Sequence, residues 1–490
     1  MINLLKNYSF LCCLFITLFA HGQTRLITLD EAIKLAQKES PDYQTLLNRN
    51  QSSYWRFRNY QASFLPQLEL NTTLPEYSNS IRRTISDNGQ DIFVNTNQAR
   101  IDGRLSLTQN LAVTGGSFSV SSRLEKISLF GSNESNGYSI IPFSVNYFQN
   151  SLFYNPFKWD KKIEPLVYQE AKRTFIENME QISLNTCRRY FGLLKAQIQL
   201  KISQNNLSNQ DTLFQITKGR FKMGKIAENE LLQMELALLN SKNSVTTNKI
   251  ALKRTSQNLA RYLNLNTENI ELVIPKNLET FTVTSEKAIE EALNNRKSVI
   301  EFRRRRLEAE KQVAQVKGNN RMKVNLNANF GISQQGAVFN DLFQDYNQQQ
   351  NVSVSISIPI IDWGVSKSKR KQAEANLDLE NNNIEQEKQA FEQEIYLHTL
   401  NWENQREFLN TSKKAQKISI KRYDITKKRY ILGKITITDL NLAQQEQDRS
   451  LVQYLNSLEN FWIDYYTLRR LTLYDFKKNK KIKSEDILYD

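Results

Sequence analysis

Arg220-Phe221-Lys222-Met223-Gly224-Lys225-Ile226 returns 209 residues later as Arg429-Tyr430-Ile431-Leu432-Gly433-Lys434-Ile435. The chain therefore reads as a tandem duplication, and residues that recur in equivalent places constrain a fold more than any single motif. A second pair agrees with the first. Leu29-Asp30-Glu31-Ala32-Ile33 reappears as Glu286-Lys287-Ala288-Ile289, with Ala32 over Ala288 at an offset of 256. The two offsets differ by 47, so the first copy holds 47 extra residues between these anchors.

Working outward from the repeated phrase, Gly224 and Gly433 stand where a helix must end, because glycine takes the left-handed conformation that closes one. The polar residues that follow, Glu228 to Glu230 and Thr436 to Asp439, suit the start of the next helix. Breakers are scarce on either side: 15 Gly and 8 Pro serve 490 residues, with no proline from Leu166 to Ile274 or from Ile360 onward. Asp160 to Lys218 and Val365 to Leu432 read as single helices of roughly 90–100 Å at 1.5 Å per residue. No compact globular domain needs such lengths.

Beyond the first turn, Leu231, Met234, Leu238, Ser241, Val245, Asn248, Leu252, Thr255, Leu259 and Tyr262 form a coiled-coil seam with alternating steps of three and four. The second copy shows two seams on adjacent faces. Leu451, Leu455, Leu458, Trp462 and Tyr465 make one, and Leu440, Tyr454, Phe461 and Leu468 make the other. A helix with two seams has neighbours on both sides, as in a helical wall.

Against this background the period switches to two. Val324, Leu326, Ala328, Phe330 and Ile332 alternate with Asn or Gly, and Val352, Val354, Ile356, Ile358 and Ile360 alternate with Ser or Pro. Each run has the length of a tilted membrane-spanning strand, and the segment between them, Ser333 to Asn351, reads as a polar loop. A lone soluble hairpin would have no core to rest on between helices of that length. In the first copy Leu68, Leu70, Thr72 and Leu74 alternate, then Leu105, Leu107, Gln109, Leu111 and Val113, and the 47 extra residues fall between about Thr72 and Gln149. They predict an added hairpin, in the membrane or above it.

Residues 1–22 read as a secretory signal peptide: Lys6, an apolar run from Tyr8 to Ala20, then Ala20-His21-Gly22. The run is shorter than a spanning helix needs, and Phe10-Leu11 before Cys12 does not suit lipidation. The mature chain then keeps a single cysteine, Cys187, and a single histidine, His398, which leaves no disulfide, no His cluster for a metal and little scope for a catalytic triad. His398 reads as a packed or exposed helix residue. The formal charge of +15 is dispersed, and its densest runs, Arg303 to Arg306 and Lys477 to Lys483, read as a solvated helix face and a solvated tail rather than a nucleic-acid site.

The doubled Gly-Lys-Ile turn, the Leu-rich helices after each, the Pro359-Ile360-Ile361-Asp362-Trp363-Gly364 junction after a strand, and two helix–strand–strand–helix copies behind a signal peptide together resemble the TolC family of outer-membrane efflux channels. The resemblance covers about Leu26 to Leu473. It implies a mainly α fold with a transmembrane β-barrel contribution, long coiled-coil α-barrel helices in the periplasm, and a homotrimer that docks to a periplasmic adaptor protein and an inner-membrane transporter. It further implies that Arg220, Gly224, Lys225, Arg429, Gly433 and Lys434 form adaptor-facing hairpin tips. Glu230, Tyr430 and Asp439 correspond to residues of the periplasmic entrance and its gate, and Val324, Leu326, Phe330, Ile332, Val352, Val354, Ile356 and Ile358 would face lipid. Ile435 stands where the family has a gating arginine, and Leu442 where a second acid is found.

The chain then divides into a signal peptide (1–22), a first repeat (23–280, with a β insertion at about 75–149), a second repeat (281–476) and a tail (477–490). The function implied is a passive exit duct for small molecules, without enzyme activity, metal or cofactor. The alternatives are a secretion duct for polypeptides and a soluble periplasmic coiled-coil scaffold.

Overall fold

The computed structural model describes residues 25–86, 88–131, 134–266, 269–276, 281–320 and 322–483; the expected signal peptide and the end of the tail, 484–490, lie outside them. In chain order the main elements of the first half are β1 (Arg25–Ile27), α1 (Leu29–Glu39), α2 (Pro41–Ala62), β2 (Gln67–Ile85), β3 (Asp91–Leu111), β4 (Gly116–Leu129), β5 (Ser135–Gln149), α3 (Pro156–Lys222) and α4 (Glu228–Tyr262). The second half holds β6 (Ile270–Leu272), α5 (Ser285–Asn295), α6 (Lys297–Asn320), β7 (Lys323–Gly336), β8 (Asn347–Ser357), α7 (Val365–Ile431) and α8 (Ile437–Thr472). The order helix, strands, helix, helix recurs, with four long strands in the first half and two in the second.

The chain separates into two compact units, one of residues 51–170 and 300–387, the other of residues 25–50, 171–299 and 388–483 among those described. The first contains a six-stranded antiparallel sheet in the order β2-β3-β4-β5-β7-β8. Facing pairs share a side of a sheet, so the register traces one apolar face across all six strands. Leu107 lies opposite Leu68 on one side and Val120 on the other; Val145 faces Val120 and Phe330; Val354 faces Leu326. Much of that face is open, with Leu68 67%, Leu70 68% and Val352 73% exposed.

Two boundaries differ from the sequence reading. Strand β8 runs Asn347–Ser357 and stops before Ile358, because Pro359 has no N–H to offer the ladder. It begins earlier than expected because Gln348 to Gln350 pair by backbone with Phe330 to Ile332, so the loop shrinks to residues 337–346. The β3–β4 turn is tight: Gly115 has φ +84°, and Asn155 donates to the carbonyls of Ala112 (2.9 Å) and Val113 (3.1 Å). After β8, the Asp362 carboxylate accepts from Gly364 N (3.0 Å) and Ser366 N (2.9 Å) and so starts α7, leaving Ile360, Ile361 and Trp363 exposed beside the sheet.

The arginine run of α6 is only in part a solvated face: Arg303 and Arg306 are exposed, whereas Arg304 and Arg305 are half-buried. Arg304 Nε donates to Glu170 of α3 (2.6 Å), and Arg305 spans Glu380 and Glu387 of α7 at 2.6 Å each. A run of like charges becomes an inter-helix clasp when acids arrive from elements far away in sequence. The Arg305 guanidinium holds the Glu387 carboxyl below the usual range.

The second unit is helical, with β1 and β6 as a short parallel pair. Helices α1 and α5 are its duplicated ends, and Ala32 and Ala288 are both fully buried. Thr28 and Glu31 form a reciprocal capping box on α1; Thr284 caps α5 alone, since Lys287 replaces the acid. Buried Tyr190 places its hydroxyl 3.0 Å from the Ile27 carbonyl and 2.6 Å from that of Val273, tying α3 to β1 and to the residue after β6. Arg469 of α8 makes a two-pronged pair with the fully buried Glu180 (2.9 and 2.8 Å) and reaches Asp475 at 3.2 Å. Cys187 sits in the same core, where burial pushes its thiol pKa up. His398 meets the Asp464 carbonyl at 2.9 Å, between α7 and α8. All ten seam positions of α4 are buried or half-buried, as are both seams of α8.

Candidate functional site: the paired helix tips

The two copies of the repeated phrase fold alike. At the first, Gly224 N donates to Phe221 O (2.8 Å) and Lys225 N to Arg220 O (3.0 Å); at the second, Gly433 N donates to Tyr430 O (2.8 Å) and Lys434 N to Arg429 O (3.0 Å). This is the Schellman closure of a helix, and it requires the positive φ that Gly224 (+68°) and Gly433 (+73°) supply. Lys225, Arg429 and Lys434 are exposed, so each turn presents cations beside a helix C-terminus, where they also offset the macrodipole.

The helices that leave the tips start differently. Thr436 caps α8: its hydroxyl accepts from Asp439 N (3.3 Å), and the Asp439 carboxylate accepts from Thr436 N (3.2 Å) and Thr436 Oγ1 (2.8 Å). The Thr436 hydrogen bonds, with a further contribution from Arg429, hold the Asp439 carboxyl below its usual range. The equivalent first-copy cap is Ala227, which has no side chain to use, and so the expected polar cap from Glu228 to Glu230 does not form. Glu230, the counterpart of Asp439, is exposed.

Tyr430 is 6% exposed and packs with Leu213, Met234, Tyr423, Ile437, Leu440 and Ala443. Its hydroxyl lies 3.3 Å from Thr217 Oγ1 on α3, and the Arg220 guanidinium sits 5.7 Å from its ring centre. Arg220 also donates to Ile431 O (3.1 Å), so the first tip is fastened to the second within one chain. Ile435 completes the cluster from its rim as an apolar plug. The structure thus joins Arg220 to Tyr430 and sets Arg429 near Asp439, while Glu230 stands apart on the first tip.

Behind the tips lies a polar ladder that no motif of the sequence announces. Asn206 donates to Asp448 (2.8 Å), Lys195 pairs with Glu459 (2.6 Å), Gln210 meets Gln444 (3.2 Å) and Lys427 donates to Asn209 (2.8 Å), stitching α3 to α7 and α8. Burial raises the Asp448 pKa. The only advance signal was polar residues recurring at seam spacing. In the other unit, Val324, Leu326, Phe330, Ile332, Val352, Val354 and Ile356 share the apolar face, with Val324 itself buried; Ile358 is exposed but lies past the end of the strand.

No curated protein sequence is significantly similar to this chain. Residues 288–472 match the family model of outer membrane efflux proteins. Among solved structures, the chain is similar to the Campylobacter jejuni CmeC outer membrane channel, at 14% identity over 94% of this chain and 88% of that one, with a TM-score of 0.67. It is also similar to the Vibrio cholerae outer membrane protein VceC, at 14% identity over 93% and 97%, with a TM-score of 0.64. A third is the open state of the Neisseria gonorrhoeae MtrE outer membrane channel, at 13% identity over 93% and 90%, with a TM-score of 0.60. At such identities the structural likeness speaks for the fold, which is that of the TolC-like channels across nearly the whole chain. The family-model match lies in the second half of the chain, and the likeness to solved outer membrane channels extends the same fold over nearly all of it.

Proposed function

We propose that this protein is the passive outer-membrane exit duct of a tripartite efflux system, a homotrimer that conducts small molecules delivered by an inner-membrane pump through a periplasmic adaptor. The observation that carries the reading is the open sheet. Its edge strands β2 and β8 each leave a row of backbone groups unpaired, and one face is largely apolar across all six strands. Lipid does not tolerate such edges, and further copies of the same chain would pair them. A second face supports assembly: Leu232, Leu236, Leu239 and Ile250 of α4 are 57%, 59%, 51% and 67% exposed, on the side away from the buried seam.

In this reading the tips around Gly224 and Gly433 meet the adaptor through Arg220, Lys225, Arg429 and Lys434. Glu230, Asp439 and Tyr430 belong to the entrance, where the Arg220–Tyr430 contact takes the part of a lock and Ile435 seals it without charge. The duct needs no cofactor. Deleting the gene should raise cellular accumulation of a fluorescent cationic dye such as ethidium severalfold, and the wild-type gene should reverse it. Unchanged accumulation, with the protein absent from detergent extracts as a trimer by native mass spectrometry, would reject the duct.

A further inference from the structure

The first copy has a hairpin, β3–β4, that the second lacks, and sequence alone left it either in the membrane or above it. We propose that β3 and β4 are membrane strands, so that three copies, each with six strands, close a wall of eighteen strands in which β8 of one copy pairs with β2 of the next. This rests on the trimeric duct reading.

Four observations carry it. The hairpin is not a flap. β3 pairs with β2 and β4 pairs with β5 along their lengths, so the sheet reaches β2 only through the hairpin. The β3–β4 ladder runs from Gln98↔Leu129 to Leu111↔Gly116, longer than the 9–11 residues a tilted strand needs to cross lipid. The apolar face continues through it, interrupted at Gln109, Ser122 and Lys126: Leu105 and Leu107 stand beside Leu70 and Leu68, and Phe118 and Val120 beside Tyr147 and Val145.

The reverse face of the same two strands carries the fourth observation. Arg100 pairs with Glu125 and Asp102, and Arg123 pairs with Glu125 (3.2 Å) and Asp102 (3.6 Å). Arg104 lies between Asn71 and Arg123 in the register. Charges of this density face water or each other in a membrane protein, never lipid. The hairpin is therefore two-faced in the manner of a barrel wall, apolar outward and charged toward the lumen. Three copies would set a belt of ion-paired arginines and acids around the inside at one level. Barrel diameter grows roughly linearly with strand number, so eighteen strands in place of twelve enlarge the cross-section about twofold.

Cysteine labelling in isolated outer membranes tests it. Single variants Ser106→Cys, Leu107→Cys, Ser119→Cys and Val120→Cys on the hairpin are compared with Ser355→Cys and Val354→Cys on β8, using a membrane-impermeant maleimide; the native Cys187 is buried and sets the background. The expected result is at least tenfold faster labelling at positions 106, 119 and 355 than at 107, 120 and 354. Fast labelling at 107 and 120 with 354 protected would overturn the proposal and leave the duct intact. Fast labelling at 354 as well would remove both. Electron cryomicroscopy of the purified trimer should count eighteen strands around the wall, and a count of twelve overturns the proposal whatever the labelling shows.

Discussion

At the scale of single residues, the tips show what a short motif can and cannot announce. Gly224 and Gly433 were legible because one backbone conformation demands them, and both occupy it. The partners of Tyr430 were not legible, since Thr217 and Arg220 lie in the other copy, more than two hundred positions away. Tyr430→Phe removes only the hydroxyl contact and should cost about 1 kcal/mol. Tyr430→Ala empties a packed cluster and should cost about 3 kcal/mol or more, seen as faster proteolysis at the second tip. Equal behaviour of the two variants would show that the ring does not hold the tips together. For Asp439 the carboxyl is depressed in the folded chain, so its contribution is complete above the unfolded value of about 3.9 and is lost as pH falls through the folded one. Amide exchange in the first turn of α8 should then stay slow from neutral pH down to about 4 and quicken only below it, once corrected for intrinsic rates. In Asp439→Ala it should be quick throughout.

At the scale of elements, the helices were read well because a heptad seam is a local pattern, while the strands were read in type and missed in extent. The polar run Gln348 to Gln350 carries no apolar alternation, yet its backbone pairs as readily as any other. Likewise, the arginines of α6 looked solvated because Glu170, Glu380 and Glu387 arrive from other helices. Leu238 lies in the α4 seam at 8% exposure, and Leu238→Asp would bury an unpaired charge at a cost of about 3 kcal/mol. Its midpoint of thermal unfolding in detergent should fall by several degrees, whereas Lys253→Asp, on the exposed side of the same helix, should leave it within a degree or two. A similar fall in both would mean that the seam is not what holds α4.

At the scale of the whole molecule, the fold class was legible from duplication, long helices and paired strands, because each is a consequence of chain periodicity. Strand number was not, since nothing local distinguishes a hairpin inside a wall from one standing above it. If the charged belt lines the lumen, Asp102→Asn combined with Glu125→Gln leaves Arg100 and Arg123 without their acids, beside Arg104. Planar-bilayer reversal potentials under a salt gradient should then shift toward anion preference, and an unchanged potential would place the belt outside the conducting path. One further consequence follows from the long β2–β3 pair. Beyond Gln98, where the β3–β4 ladder ends, residues 79–85 pair with residues 91–97 up to the turn at Gly89, and Phe130 N reaches only the foot of this ribbon, at Asn97 O (2.8 Å). That ribbon points away from the ends of the strands that join helices, so in the proposed outer-membrane duct it would stand outside the cell, where antibodies and phage would touch it first. A short epitope tag inserted beside Gly89 should be stained on intact cells by flow cytometry, making the ribbon a ready surface-display handle.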